Sequence, residues 1–368
     1  MRKIVYISML FASMVSSCAG GKNVSSEAAA GPRADGKGYI IGFYNLENLF
    51  DTYHDQGKND YEFLPDGSNK WTDAKYEKKQ HNMATVIKAM AQDNQQWHTV
   101  LGVSEIENRH VLEDLVSQPE IAAANYQIVH YDGPDTRGVD VALLYDPKNF
   151  KYKSSESLPF TFDSDIDFSM SKEEKASFRT RDILMVRGTI AGEEFAFFVA
   201  HLPSRRGEKS SALRERGAEI MWNRAMELER EVPGIKIVVM GDMNDNPTDP
   251  SMTKYVNAKE KIGEVGPENF FSPFLSMYKA GFGSLAYRGV WSIFDIIIVN
   301  SNLCNAPKGT LEIKPIVNKK YYARIFRQPF MTNQEGQYKD TPKRTLADTG
   351  VEGYSDHYPT YIVVSNKK

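Results

Sequence analysis

A succession of short runs of β-branched and aromatic residues, each closed by Gly, Asp, Asn or Pro, constrains this chain more than any other feature. They fall at 39–45, 99–104, 126–131, 139–145, 183–190, 194–201, 235–240, 293–300 and 359–365. Runs of this length and composition read as strands buried on one or both faces. Between them, helical periodicity is confined to 73–90, opened by Thr72 or Asp73 as cap, to 109–116, and to 211–230. In the last, Leu213, Gly217, Ile220, Met221 and Leu228 approximate one face. Many strands with few helices predict an α/β chain built of two packed sheets flanked by helices. The polar stretches 51–70 and 307–353 exceed ordinary connections and read as surface insertions or site-shaping loops.

The composition is that of a soluble globule. With 41% hydrophobic and 25% charged residues over 368 positions, collagen-like, disordered and polytopic membrane classes are excluded. A formal charge of -3 provides no general basic field, so any polyanion must be held by local positive groups.

The N-terminus has its own logic. Met1-Arg2-Lys3 precedes an apolar run over 4–15 and then small residues ending at Cys18. A basic start, an apolar middle too short to span a bilayer and a small-residue end predict a secretory signal rather than a core helix. Val15-Ser16-Ser17-Cys18 resembles a relaxed lipobox of bacterial lipoproteins, which would make Cys18 the acylated first residue of a protein anchored in the membrane, with the outer membrane expected. The division that follows is a signal peptide over 1–17, a tether over 18–38 rich in Gly, Ala, Ser and Lys, and one domain over 39–368. Cys304 is then the remaining thiol, expected as a small buried hydrophobe with no disulfide to make.

The chemistry lies where the strands end. Asn45-Leu46-Glu47-Asn48 closes the first run, Ser104-Glu105 the second, His201 the sixth and Gly241-Asp242-Met243-Asn244 the seventh; Ser355-Asp356-His357 precedes the last. Each alone reads as a turn former or a rim residue. Together, carboxylates and amides converging at one rim of a sandwich suit Mg²⁺ or Mn²⁺, hard cations that prefer oxygen ligands.

In this order the motifs resemble those of the endonuclease/exonuclease/phosphatase superfamily, over essentially 39–364. Asn45, Glu105, Gly138-Val139-Asp140, His201-Leu202-Pro203, Gly241-Asp242-Met243-Asn244, Asp295-Ile296-Ile297 and Ser355-Asp356-His357 carry the resemblance. It implies a four-layered α/β sandwich with two central, mostly antiparallel sheets, and divalent-metal-dependent hydrolysis of a phosphodiester by in-line attack of water. The resemblance makes Glu105, with Asn45 and Glu47, the Mg²⁺ ligands, and Asp356 a further one. Asp242 and Asn244 would face the attacking water, Asp295 would orient His357, and His201 would protonate the leaving oxygen or contact the phosphate. Arg181, Arg137 and Arg205 would add positive charge for the phosphate. Trp291 reads as a stacking platform or, more readily, as core.

The acids Asp51, Asp55, Asp60 and Asp66 read as a solvated loop, with structural Ca²⁺ as the alternative, because their spacing lacks a Ca²⁺-loop pattern. A His at 201 sets the chain apart from the abasic-site branch, which has Tyr there. The substrate expectation is nucleic acid, DNA or RNA, with a phospholipid or sugar phosphate as the second enzymatic reading and an inactive binding lipoprotein as the third. Intact motifs at Glu105, His201, Asp242, Asn244 and His357 count against the third.

Overall fold

A parallel pair of strands cannot be joined by a hairpin, and two of the three such pairs among the described residues organise this molecule. In the computed structural model, which describes residues 38–207, 210–317, 320–345 and 352–368, β1 (Tyr39–Leu49) is followed by α1 (Asp73–Asn94) and β2 (Val100–Ile106). β1 and β2 run parallel, and the 22-residue α1 is their crossover. α2 (Arg109–Ser117), β3 (Gln127–His130), β4 (Asp140–Tyr145), β5 (Phe150–Leu158), α3 (Lys172–Ser177), β6 (Ile183–Ile190) and β7 (Glu193–His201) come next. α4 (Ser210–Glu231), again 22 residues, carries the chain to β8 (Lys236–Asp242), parallel to β7. After it lie β9 (Ala258–Lys259), β10 (Phe270–Phe271), α5 (Pro273–Lys279) and the hairpin of β11 (Leu285–Tyr287) and β12 (Val290–Ser292). β13 (Asp295–Asn300), α6 (Ser301–Cys304), β14 (Leu311–Ile313), β15 (Ala323–Ile325) and β16 (Thr360–Asn366) complete the chain.

One sheet has the order β14-β16-β1-β2-β4-β3, with β15 also on β16; the other runs β5-β6-β7-β8-β13-β10-β9. Most neighbours in both are antiparallel, as expected of the sandwich. The two sheets pack face to face through β1, β2 and β4 on one side and β6, β7, β8 and β13 on the other, and one apolar core runs from Ile40 to Val364. The central strands are fully buried runs such as Phe195–Ala200 and Ile296–Val299, which is why they show no alternation in sequence.

Three expectations change. β5 has no β-type run in its sequence, because it is an edge strand whose residues 151–154 face solvent. The stretch 307–353 is not only surface: it supplies β14 and β15, short strands that line β16. The 51–70 insertion is likewise ordered. Phe50, Phe63, Trp71 and Val139 form a small apolar cluster there, and Asp51 and Asp60 are buried. Asp51 accepts from the Tyr53 N–H and the Asn108 amide, and Asp60 from the Asp55 N–H with His54 Nδ1 on its other oxygen, so protein groups satisfy these two acids. Asp55 is half-buried and Asp66 exposed.

Among the described residues no helix is long and apolar enough to cross a membrane. The expected signal, Cys18 and the tether up to residue 37 lie outside the described residues. Cys304 is buried, and burial pushes its thiol up to about 12.

Candidate active site

Strand direction brings the polar ends together. Because β1 and β2 are parallel, Asn45 and Ser104 stand side by side at their C-terminal ends; likewise His201 stands beside Asp242 on β7 and β8. β13 and β16 run the other way, so it is their starts that reach the same rim. Asp295 pairs with Asp242, and His357 lies just before β16.

Local backbone then aims the side chains. Glu47, Asn48, Glu105 and Asn244 all have φ between 46° and 57°, a left-handed conformation that is uncommon outside glycine. Register shifts between Asn45 and Leu49 and between Ser104 and Ile106 mark bulges at the same places. Bulges and positive φ at strand ends redirect side chains out of the pleat, and such strain concentrates at functional sites. Gly241 is required for a plainer reason: a Cβ there would lie 2.1 Å from the Ala200 carbonyl oxygen.

Glu105, His201 and Asp242 each turn one ligand atom into a common space, all within 4.8 Å of one another. His201 Nε2 is 3.8 Å from Glu105 Oε1 and 3.7 Å from Asp242 Oδ2. Asn45 organises the two carboxylates: its Nδ2 donates to Asp242 Oδ2 at 2.9 Å and to Glu105 Oε1 at 3.2 Å. Its Oδ1 accepts the Glu47 N–H and so faces the turn. Asp242 Oδ1 accepts from the Asn244 N–H, and the Asn244 amide donates to the Leu202 carbonyl.

His357 stands across from this group. Its Nδ1 is 2.8 Å from Asp295 Oδ2, and Ser284 Oγ donates to the same oxygen at 2.5 Å. Nε2 is 3.9 Å from both Asp242 and Asp356. Burial alone would lower the His357 pKa, but Asp295, Asp242 and Asp356 together lift it well above the usual histidine value. His201 has no carboxylate at hydrogen-bond distance, as His357 has in Asp295: burial, then the charges of Arg181 and Arg137, hold it well below. The two histidines of one rim are thus tuned in opposite directions. Burial lifts Asp242 to about 7; His357 opposes the rise, while Asp295 and Glu105 add to it.

The donor set fits a divalent cation. Carboxylates of Glu105 and Asp242 converge with an imidazole nitrogen; Asp356 lies outside that group, its Oδ1 buried with no hydrogen-bond partner among the described residues. Crowded acids with an unsatisfied oxygen are the arrangement a hard cation completes. Among the described residues the other group able to share a cation is His130, Asp132 and Asp140.

The remaining expected residues are placed as follows. Glu47 is fully buried and lies outside the convergent group; Arg344 Nε donates to its Oε1 and the Thr345 N–H to its Oε2. Arg181 is buried, donating to the carbonyls of His201 and Leu202 and to Asp135. Arg205 donates to the Asn244 carbonyl and pairs with Asp245 and Asp249. Arg137 is half exposed, beside Asp135. Trp291 is half-buried, its ring parallel to Tyr358 at 6.3 Å. Sequence reading missed Ser284, Lys79 and Arg344. Lys79, buried on α1, donates to Thr345 Oγ1 and the Tyr354 carbonyl, and burial pushes it down to about 8 against the pull of Glu47, Asp356 and Glu105.

A family model described as endonuclease/exonuclease/phosphatase family matches residues 40–366. The chain belongs to that family. Its members are phosphoester hydrolases that depend on divalent metal ions, and the fold agrees. A mannosyl-6-phosphatase of Bacteroides thetaiotaomicron superposes with a TM-score of 0.53 at 16% identity, covering 89% of this chain and 99% of its own. The catalytic domain of human Nocturnin with bound sulfate gives 0.51 at 15% identity, covering 90% and 95%. TDP2 of D. rerio, complexed with a single-strand DNA product, gives 0.50 at 14% identity, covering 90% and 100%. At these identities the likeness is one of fold. No curated protein sequence matches the chain.

Proposed function

We propose that this family member is an exported, lipid-anchored phosphodiesterase that uses Mg²⁺ or Mn²⁺ to cleave nucleic acid without sequence preference. The observation that carries the hydrolytic reading is the pairing across one rim of a carboxylate group, Glu105 and Asp242, with a His357 oriented by Asp295. A cation bound by Glu105 and Asp242 would neutralise charge on the phosphoryl oxygens.

The chain's own residues do the rest. Asp295 accepts the hydrogen bond from Nδ1–H and leaves His357 Nε2 directed at the space before Asp242, where a positively charged imidazole suits a phosphoryl oxygen. Asp242, its Oδ1 held by the Asn244 N–H, would orient the attacking water beside the cation. His201, held neutral, fits hydrogen bonding to the phosphate better than proton donation to the leaving group. The bound DNA product in the TDP2 complex supports a nucleic-acid substrate on this fold. Export and anchoring rest on the leader and Cys18 in the sequence.

The test compares plasmid DNA, a phosphomonoester and a lipid phosphodiester with Mg²⁺, taking Asp242→Asn as the blank. Plasmid nicking that is lost in the variant is the expected result. Cleavage of the monoester or the lipid alone would overturn the substrate while leaving the mechanism. Undiminished turnover in excess chelator would overturn the metal requirement.

A further inference from the structure

The buried Glu47 has one partner whose chemistry the catalytic group does not use. Arg344 donates from Nε to Glu47 Oε1 at 2.8 Å, and its side chain is 50% exposed. Its Nη2 stands 3.8 Å from Asp356 Oδ2, too long for a hydrogen bond. Neither Nη group has an acceptor within hydrogen-bond distance among the described residues. Asp356 is in turn 3.9 Å from His357 Nε2, so one carboxylate stands within 4.0 Å of both His357 and the guanidinium. Its charge is felt at Glu105 as well as at Glu47 and Asp356.

The other arginines around the site differ. Arg181 uses Nε, Nη1 and Nη2 on two carbonyls and Asp135, and is buried. Arg205 is engaged by the Asn244 carbonyl, Asp245 and Asp249. Arg344 combines a fixed base with open donors. Glu47 is itself held by the Thr345 N–H, and Thr345 by the Lys79 ammonium, so the guanidinium is ordered before any substrate arrives. A planar fork held this way matches two oxygens of a phosphoryl group.

We propose that Arg344 is a substrate-binding residue that grips the non-bridging oxygens of the phosphoryl group, and that Glu47 is its positioning residue. This rests on the phosphoesterase reading of the same rim. The order β16-β1-β2-β4 places Arg344, anchored on the β1 end beside the approach to β16, on the opposite flank of the carboxylates from Arg137, which precedes β4. A phosphoryl group between them is held from two sides.

The experiment has a binding arm and a turnover arm, both on the full chain in detergent with Mg²⁺. Calorimetric titration with inorganic phosphate is run on wild type, Arg344→Ala, Arg344→Lys, Glu47→Gln and the Glu47→Gln/Arg344→Ala pair. The pair guards against misfolding, because Arg344→Ala alone strands a buried carboxylate. Arg344→Ala and the pair should lose about 10- to 100-fold in phosphate affinity, the range of one charged hydrogen-bonded contact. Arg344→Lys should recover part of the loss, and Glu47→Gln should weaken binding only where Arg344 is present. Turnover of bis(p-nitrophenyl) phosphate should show the same order in kcat/KM, with guanidinium ion in solution partly rescuing Arg344→Ala. Phosphate affinity within about threefold of wild type in the pair, or no phosphate binding by wild type, overturns the assignment. Phosphate binding through Arg344 with no ester hydrolysed would sink the hydrolase reading and leave the subsite standing.

Discussion

Asp242 is a buried carboxyl that shares its rim with Glu105, Asp295 and Asp356, and the price of that crowding is a loss of stability in the absence of metal. A carboxyl whose folded pKa is raised from 3.8 to about 7 contributes its stability fully below the unfolded value. It loses that contribution as the pH rises through about 7. In chelator, then, stability should decline between about pH 4 and pH 7, by a few kcal/mol at most. Asp242→Asn removes the ionisation. Its thermal midpoint in chelator at pH 8 should equal or exceed that of wild type, while turnover with Mg²⁺ falls by about a thousandfold or more. His357→Ala should match the loss of turnover. A variant that is both active and unchanged in stability would remove Asp242 from the centre of the site.

At the scale of elements, the crossovers decide the geometry, and the tightest point is where β7 meets β8. Gly241 backs onto the Ala200 carbonyl, with a Cβ at 2.1 Å from that oxygen and 2.9 Å from its carbon. Neither backbone can yield without breaking the pairing that sets His201 beside Asp242. Gly241→Ala should therefore destabilise by about 3 kcal/mol and lower activity beyond what the stability loss explains. Gly217 on α4 is the control: the nearest atom to its Cβ is the end of the Leu202 side chain, which can turn aside. Gly217→Ala should stay within about 1 kcal/mol of wild type by thermal melting. Equal effects of the two would show that the close approach at Gly241 is not what fixes the register.

The same scale explains what could be read from sequence. Central strands and their polar ends were legible, because burial on both faces gives continuous apolar runs and each end is local in the chain. β5 was not, since an edge strand with solvent-facing residues has no such run. The surroundings of Glu47 were not legible either. Its partner Arg344 lies 297 positions away, and nothing near Glu47 in sequence distinguishes a metal ligand from an anchor. Arg181 shows the same limit: its place at a strand start was readable, but its three acceptors on the 135 and 201–202 segments were not.

For the molecule as a whole, charge limits how a polyanion can be held. The chain carries -3 overall, and of the arginines near the rim Arg181 and Arg205 are already engaged by the protein. Arg137 and Arg344 keep open donors there, beside a His357 whose neighbouring carboxylates favour its charged form. Two or three phosphate contacts imply a slope of log affinity against log salt of about -2 to -3. Affinity for a DNA oligonucleotide, measured in Ca²⁺ with the Asp242→Asn variant to prevent cleavage, should then fall about 15- to 60-fold between 50 and 200 mM salt. Arg344→Ala should make the slope shallower by about one. A slope steeper than about -6 would require a long basic track and would place the main contact surface outside this rim. A slope near zero would mean that the substrate is small or uncharged beyond its scissile phosphate, and would turn the nucleic-acid reading toward a single phosphoester on a neutral body.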